Sequence, residues 1–207
     1  MFTCDSCTIY SCSTQNLEQM PKNCPIRDET FFNEILEVYK EPENQEFFVT
    51  ASSIEAIGYA QWPRIRETIE LCKRMNYERI GIAFCRGLHS EAKAIAQIFR
   101  NHGLTIVSVA CKAGAIPKEV AGIKKEHKVK PDEYESMCNP IAQAKLLGAQ
   151  NTQFNVLIGL CVGHDSLFYK YSEALCTTLV AKDRVLAHNP AGAIYCASNY
   201  MKSRLAP

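Results

Sequence analysis

Ile80-Gly-Ile-Ala-Phe-Cys-Arg-Gly-Leu-His-Ser90 joins a short apolar run to a turn and then to the start of a helical pattern. An apolar run of this length and composition is typical of a strand that is buried on both faces. From Ser90 to Arg100 the apolar residues recur at helical spacing, and the predicted inward face carries Ala92, Ile95, Ile98 and Phe99. This stretch therefore predicts a unit of strand, turn and helix.

The same alternation continues towards the C-terminus. Apolar runs at 104–110, 154–160 and 177–181 predict three more strands, and helical patterns cover 140–147, 165–172 and the residues from Asn189 onward. Strands that alternate with helices indicate a parallel sheet covered on both faces and connected by right-handed crossovers. We therefore expect an α/β Rossmann-like three-layer sandwich with a mostly parallel four-stranded sheet. The chain contains neither GxGxxG nor GxxxxGK[ST], so dinucleotide and P-loop binding have no direct support.

Helices are predicted before the sheet, at residues 28–76. Asp28 is a candidate N-cap, and we expect the following helix to bury one face, formed by Phe31, Phe32, Ile35, Leu36 and Tyr39. A break at Glu41-Pro42-Glu43 precedes a second helical region, 45–76, where Pro63 is expected in the first turn of a new helix. We divide the chain into a Cys-rich metal-binding module, 1–27, and an α/β domain, 28–207.

Composition narrows the class of protein. The 207 residues carry a formal net charge of +1, which offers no electrostatic argument for binding nucleic acid or an anionic membrane surface. No apolar run approaches the roughly 20 residues that a membrane span needs. The N-terminus has neither a basic leader nor an apolar signal core, so we expect a cytoplasmic location.

Eleven cysteines need an explanation, and disulfides rarely persist in a reducing cytosol. Burial explains little of the N-terminal group, because almost no apolar sequence surrounds it. We therefore predict that this group binds a metal through Cys4, Cys7, Cys12 and Cys24. Four thiolates suit tetrahedral zinc, whereas three clustered cysteines followed by Cys-Pro are also found in iron–sulfur ligation, so both metals stay open.

A second group of cysteines follows the predicted strands. Cys85, Cys111 and Cys161 come at the ends of the first three strands, and Cys138 precedes a helix that should start at the same edge. Because the carboxyl ends of parallel strands form the ligand crevice of an open sheet, these four are candidate ligands of a 4Fe–4S cluster or another metal centre. The alternative is packing, since cysteine is commonly buried. We assign the remaining three to packing: Cys72, Cys176 and Cys196.

The pattern C-x-G-x-x-S occurs twice, at 85–90 and at 161–166, each time between a strand and a helix. Glycine permits an unusual backbone angle or the close approach of a ligand, and serine can cap the helix beside N–H groups that favour an anion. The candidate residues for holding a cofactor are therefore Gly87, Ser90, Asn139, Gly163 and Ser166.

Three residues near this edge are candidates for acid–base chemistry: His164, Asp165 and Lys182. Asp183, Arg184 and His188 follow the fourth strand and should lie near the same edge. The alternative interpretation is a helix cap for Asp165 and a surface ion pair for the Lys-Asp-Arg run. It does not account for His164, which we expect to point towards Cys161.

Three stretches carry a resemblance to a known family: Met137-Cys-Asn-Pro-Ile-Ala-Gln-Ala144, Gly159-Leu-Cys-Val-Gly-His-Asp-Ser-Leu-Phe168 and Lys182-Asp-Arg-Val-Leu-Ala-His-Asn-Pro190. They resemble an uncharacterised prokaryotic family, domain of unknown function 1847, whose members are often described as metal-binding proteins. The resemblance extends to the N-terminal cysteines and the Phe84-Cys-Arg-Gly turn. It implies metal binding and a cytoplasmic location, and it brings no reaction or substrate.

Two functions of different kinds remain open. The first is a redox or sulfur-handling enzyme with an iron–sulfur cluster in the crevice. The second is a non-catalytic zinc-binding or metal-delivery protein, and a weaker variant uses the crevice as a small-molecule pocket. The sequence leaves open the identity of the metal, the number of metal sites, the reaction and the oligomeric state.

Overall fold

The structure, a computed structural model, describes residues 1–14 and 16–207; Gln15 of the predicted metal module lies outside the described residues. Two compact units are formed, Met1–Ile57 and Gly58–Pro207. The strands are β1 (Arg79–Phe84), β2 (Thr105–Ala110), β3 (Phe154–Ile158) and β4 (Leu175–Val180). The helices are α1 (Ser11–Thr14), α2 (Glu29–Lys40), α3 (Pro42–Gly58), α4 (Arg64–Arg74), α5 (His89–Asn101), α6 (Pro140–Gly148), α7 (His164–Tyr171), α8 (Ala191–Tyr195) and α9 (Lys202–Leu205).

In the first unit, α2 begins as its sequence predicts. The Asp28 carboxylate accepts a hydrogen bond from the Phe31 amide at 3.0 Å, which satisfies one of the free N–H groups of the first turn. The predicted burial of one α2 face is wrong, because no residue of α2 is buried. The amphipathic pattern is present, but α2 meets α3 only in part, through the Tyr39 and Phe48 rings at 4.8 Å. The predicted face stays exposed: Phe31, Phe32, Ile35, Leu36 and Tyr39.

The second unit begins with α4 and contains the sheet. Pro63 is the N-cap of α4, one position before the first turn in which we expected it. The guanidinium of Arg64 donates to the carbonyl of Thr178 at 3.0 Å and to the hydroxyl of Thr177 at 2.7 Å, which ties the start of α4 to β4. Across residues 1–14 and 16–207, no helix combines the length and apolarity that crossing a bilayer requires.

The sheet is four-stranded and entirely parallel, in the order β2-β1-β3-β4. The chain moves from β1 outward to β2, crosses back to β3 on the other side of β1, and continues to β4. This reversal puts the topological switch point between β1 and β3, where open α/β sheets have their crevice. The Rossmann-like α/β fold and the parallel sheet predicted from the sequence are confirmed.

Helices cover the two faces of the sheet. Right-handed crossovers place α5 on one face and both α6 and α7 on the other. Helices α6 and α7 pack against each other. On the α6/α7 face, Ala83, Leu157 and Phe168 form a buried cluster together with Cys111. Side chains alternate along a strand, so Ile82 and Phe84 of β1 point to the α5 face. The carboxyl edge of this covered sheet positions the candidate site.

Candidate thiolate site at the carboxyl edge of the sheet

Two cysteines follow directly from the ends of adjacent strands. Cys85 comes after β1 and Cys111 after β2, and backbone hydrogen bonds continue the sheet through both. The Cys85 amide donates to the Ile158 carbonyl at 3.0 Å, and the Cys111 amide donates to the Phe84 carbonyl at 2.8 Å. The parallel ladder therefore fixes the main chain of both cysteines at the carboxyl edge, as the sequence predicts.

Cys111 connects the other two thiols of the group. Its thiol interacts with the thiols of Cys85 and Cys138, and this interaction is the largest influence on the pKa of each. The pKa values of Cys85 and Cys138 are lowered, because the Cys111 S–H stabilises the thiolate on either side. The same two neighbours and its own burial raise the pKa of Cys111. The pKa directions thus favour the thiolate form of Cys85 and Cys138 and the protonated form of Cys111.

Two lysines reinforce this charge distribution. The Lys182 ammonium lies 3.4 Å from the Cys85 sulfur, and the Lys112 ammonium lies 3.4 Å from the Cys138 sulfur. Each contributes to the lowered pKa of its own cysteine, against the effect of burial. Lys182 was a sequence candidate; Lys112 was missed, although it directly follows Cys111 in the chain. Each thiolate therefore has its own cation.

Cys161 occupies the same edge but has a different partner. It lies three residues beyond β3, and its sulfur accepts a hydrogen bond from the Arg184 guanidinium at 2.9 Å. The structure thus brings Cys85, Cys111 and Cys138 together and holds Cys161 beside Arg184. Whether Cys161 joins the other three as a ligand stays a prediction.

The ligand types at this edge suit a soft metal, but the present positions of the side chains do not form a metal site. Thiolates bind zinc and iron–sulfur clusters, and two of these thiols have lowered pKa values. In the part of the chain that the structure describes, however, no three side chains of the ligand types His, Cys, Asp and Glu form a group able to hold a metal ion. The predicted metal ligands at this edge therefore remain predictions.

His164 and Asp165 open α7 beside this group. The His164 imidazole contributes to the lowered pKa of Cys138, and its buried Nδ1 atom has no hydrogen-bond partner among the residues that the structure describes. The Asp165 carboxylate accepts from the Ser166 amide at 2.8 Å, which is the stabilising contact expected at a helix start. Asp165 therefore has a structural explanation, whereas the free nitrogen of His164 has none.

The two C-x-G-x-x-S turns differ in detail. Gly163 has a φ of +83°, the left-handed conformation that favours glycine, whereas a Cβ at Gly87 would make ordinary contact with the Lys182 ammonium and the Cys85 sulfur. The serine caps we expected are wrong: neither α5 nor α7 has a side-chain cap among the described residues. Ser90 instead donates to Glu91, because each serine lies inside the first turn rather than before it.

The two turns also touch. Leu88, in the turn after β1, is fully buried, and Gly159, in the turn after β3, has a φ of +62°. A Cβ at Gly159 would lie 2.6 Å from the Leu88 side chain, so only glycine allows the two turns to approach this closely. The turns carrying Cys85 and Cys161 are thereby packed against each other.

Two residues with amide side chains, Asn139 and Gln143, make hydrogen bonds next to the site. The Asn139 side chain caps α6 by accepting from the Ala142 amide at 3.1 Å, and its backbone N–H donates to the Cys111 carbonyl at 2.8 Å. Gln143 is fully buried and donates to the carbonyls of Phe84 and Val109, at 3.3 and 2.7 Å. Within residues 1–14 and 16–207, its Oε1 atom has no hydrogen-bond partner. Gln143 was missed from the sequence, although a glutamine on a helix packed against the sheet is a signal worth noting.

The four N-terminal cysteines lie in the first unit. Cys4, Cys7 and Cys24 line a pocket of about 240 Å³, whereas Cys12 lies in α1 and does not line it. Backbone amides of Tyr10 and Ile9 donate to the Cys7 sulfur and lower its pKa. Such N–H donation to a sulfur favours the thiolate, which is the form that binds metal. A shared metal at all four cysteines stays a prediction.

The remaining cysteines agree with the expected packing role in different degrees. Cys72 is fully buried in α4, and burial raises its pKa to about 12. Cys176 is the second residue of β4, at the amino end of the strand and so at the edge opposite to Cys111. Cys196 is half-buried just after α8. All eleven cysteines are free thiols.

Comparison with known proteins adds a family. Residues 24–179 match the family described as "Protein of unknown function (DUF1847)". The chain is also similar to "Uncharacterized protein MJ0455" of Methanocaldococcus jannaschii, with 48% identity over 171 residues. That alignment covers 83% of this chain and 86% of the relative. The matched family region includes every cysteine of the sheet edge and, of the four N-terminal cysteines, Cys24.

Proposed function

The chain belongs to this family, and we propose that its carboxyl-edge thiols hold a metal centre, an iron–sulfur cluster, that serves redox or sulfur chemistry. The ligands would be Cys85, Cys111 and Cys138, with Cys161 as the fourth after release from Arg184. The observation that carries the proposal is the interaction of the Cys111 thiol with the thiols on either side of it. Three thiols from separate segments are thus collected at the carboxyl ends of β1 and β2.

Charge supports an anionic centre at this place. A cluster ligated by thiolates carries net negative charge, and three cations already face the sulfurs: Lys112, Lys182 and Arg184. A purely structural set of buried thiols would need no such cations, because a neutral thiol packs as a small hydrophobe. The cations are therefore better explained by thiolates or by a centre that thiolates bind.

The residues of the chain have separate roles in this proposal. An iron–sulfur cluster supplies one-electron transfer when bound, and hydrogen bonds to its sulfurs set its potential. Lys112 and Lys182 would supply positive charge next to the ligands. Arg184 would hold the Cys161 side chain until Cys161 binds the cluster. His164 is the proton donor or acceptor of the site, because its Nδ1 atom is free and its ring acts on Cys138.

The second candidate is a non-catalytic zinc-binding or metal-delivery protein whose metal lies at the N-terminal cysteines. It is favoured by the amide donation to Cys7 and by the pocket that Cys4, Cys7 and Cys24 line. The two candidates are compatible, since the sites lie in different units. For both candidate functions we propose a cytoplasmic location, where eleven free thiols can persist.

Anaerobic purification followed by iron, zinc and acid-labile sulfide analysis tests the proposal. The wild-type chain should contain iron and sulfide, with visible absorption. Cys85→Ala and Cys138→Ala should remove most of the iron and sulfide. Cys176→Ala is the matched control, because it removes a half-buried cysteine from the opposite edge of the same sheet and should retain both.

Zinc alone, at about one ion per chain, would support the second candidate and contradict the first. Iron that survives both Cys85→Ala and Cys138→Ala would place the centre elsewhere. Far-ultraviolet circular dichroism of each variant shows whether the sheet domain is still folded, so loss of the centre can be separated from loss of the fold.

A further inference from the structure

A second pocket lies on the opposite face of the sheet from the thiols. It has a volume of about 170 Å³ and lies between α5 and the edge strand β2. Ser108 of β2 lines it, whereas the flanking residues Val107 and Val109 pack on the cluster that contains Cys111. Because neighbouring residues of a strand point to opposite faces, the pocket is separate from the thiolate site.

Small side chains create the space. Ala92 and Ala96 belong to the buried stripe of α5, and Ser108 faces them from the strand. Larger residues at these positions would fill the gap between helix and sheet, as Phe99 does further along the same stripe. Phe84 forms an apolar wall. The sequence thus leaves a groove where a fully packed interface would be expected.

The rim of the groove carries two cations, Lys93 and Arg100, and one histidine, His89. His89, Lys93 and Arg100 all line it, and at 3.6 residues per turn they fall within about 40° of one another around α5. Among the described residues, neither Lys93 nor Arg100 has a carboxylate partner, and the lining includes no Asp or Glu. The acidic residue of the first turn, Glu91, instead accepts from Ser90 and interacts with Lys182 and His188.

We infer that this groove is a binding site for the phosphate group of a small phosphorylated molecule. Lys93 and Arg100 would hold the phosphate oxygens, because both are free cations and a guanidinium matches phosphate with paired N–H groups. The Ser108 hydroxyl can donate a further hydrogen bond. The pocket is smaller than the 300–1,000 Å³ of a typical drug-sized site, so the ligand is a compact phosphate ester or a diphosphate.

Two-dimensional amide NMR with inorganic pyrophosphate as the probe, in metal-free buffer at fixed ionic strength, tests this inference. Saturable shifts should be confined to α5 and β2 of the wild-type chain. Lys93→Ala combined with Arg100→Ala should weaken the affinity about tenfold or more. Ser108→Leu should weaken it by filling the groove while leaving the charge unchanged.

The matched control is Lys73→Ala combined with Arg74→Ala. This pair removes the same charge from two exposed residues of α4 that do not line the groove. It should change the affinity less than about threefold. Equal weakening by both double variants, shifts spread over the whole surface, or no saturable shift would each overturn the inference. The result does not depend on the metal content of the thiolate site.

Discussion

The N-terminal cysteines and the sheet-edge cysteines present two ways of holding thiols. In the first unit, Cys4, Cys7 and Cys24 line a pocket in a segment of short turns, where only Ser11 is buried among residues 1–14 and 16–27. At the sheet edge, Cys85 and Cys111 directly follow strands whose residues pack in the hydrophobic core. The N-terminal cysteines are supported by little buried structure, whereas the sheet-edge cysteines lie next to the most buried part of the molecule.

This difference indicates whether a bound metal or the fold itself keeps each group of cysteines ordered. If the N-terminal segment binds a metal, it should gain most of its order from that binding, because the binding free energy would then serve as folding free energy. A group fixed by a parallel ladder exists before any metal arrives, so removing a ligand there should alter chemistry more than folding. The following predictions test that division.

The largest effect is expected from Cys7→Ser. Loss of a ligand should weaken N-terminal metal binding by at least about 100-fold, since loss of an outer hydrogen-bond partner alone costs 10–100-fold. Limited proteolysis should then cut within residues 1–27, while the thermal midpoint of the sheet domain stays unchanged. Cys12→Ser should cause a smaller loss, because Cys12 does not line the pocket. Unchanged metal content in Cys7→Ser would contradict the N-terminal site.

A smaller, chemical effect is expected from Cys111→Ala. Removing the shared S–H donor should raise the pKa values of Cys85 and Cys138 by about one to two units. Only the thiolate reacts with iodoacetamide, so the midpoint of the alkylation profile of each cysteine should move to higher pH. Mass spectrometry of the reduced, metal-free protein measures it.

Cys72 is the internal control for that experiment. Burial raises its pKa to about 12, so it should stay unreactive up to pH 9 in the folded chain. If Cys85 titrates identically with and without Cys111, the shared proton does not exist and the two groups of cysteines differ less than we propose.

The smallest effects separate two neighbours of Cys138. Lys112→Met should raise the pKa of Cys138 and leave Cys85 unchanged, because Lys112 contacts only the former sulfur. His164→Ala should raise the pKa of Cys138 less, since its charge acts without a hydrogen bond to the sulfur. Alkylation profiles of Cys138 give both shifts. A larger shift from His164→Ala would make His164, rather than Lys112, the principal partner of Cys138.

Much of the fold follows from local patterns. The apolar runs predicted all four strands to within a few residues, because a strand buried on both faces has a distinctive composition. The pattern of α2 predicted an apolar face and its cap correctly, but it could not show that Phe31 and Leu36 stay exposed to solvent. Periodicity states that a face is apolar; tertiary contacts decide whether it is buried.

The site was predictable only where the chain delivers residues by topology. Strand ends placed Cys85 and Cys111 at one edge, and Cys138 could be added because α6 starts there. Lys112 and Gln143 could not be found this way, because a long side chain reaches its partner through a rotamer that sequence does not specify. The serine caps failed for a similar reason, since a shift of two residues moves Ser90 from the cap position, which Leu88 occupies, into the helix.

The contact between Leu88 and Gly159 means that the two turns cannot move independently. A backbone displacement of the turn after β3 that moves Gly159 must either push Leu88, and with it the turn after β1, or open a gap in the core beneath it. A closely packed interior favours the first outcome. The crevice should therefore respond to an occupant as one mechanical element, with amide hydrogen exchange in both turns slowing together rather than turn by turn.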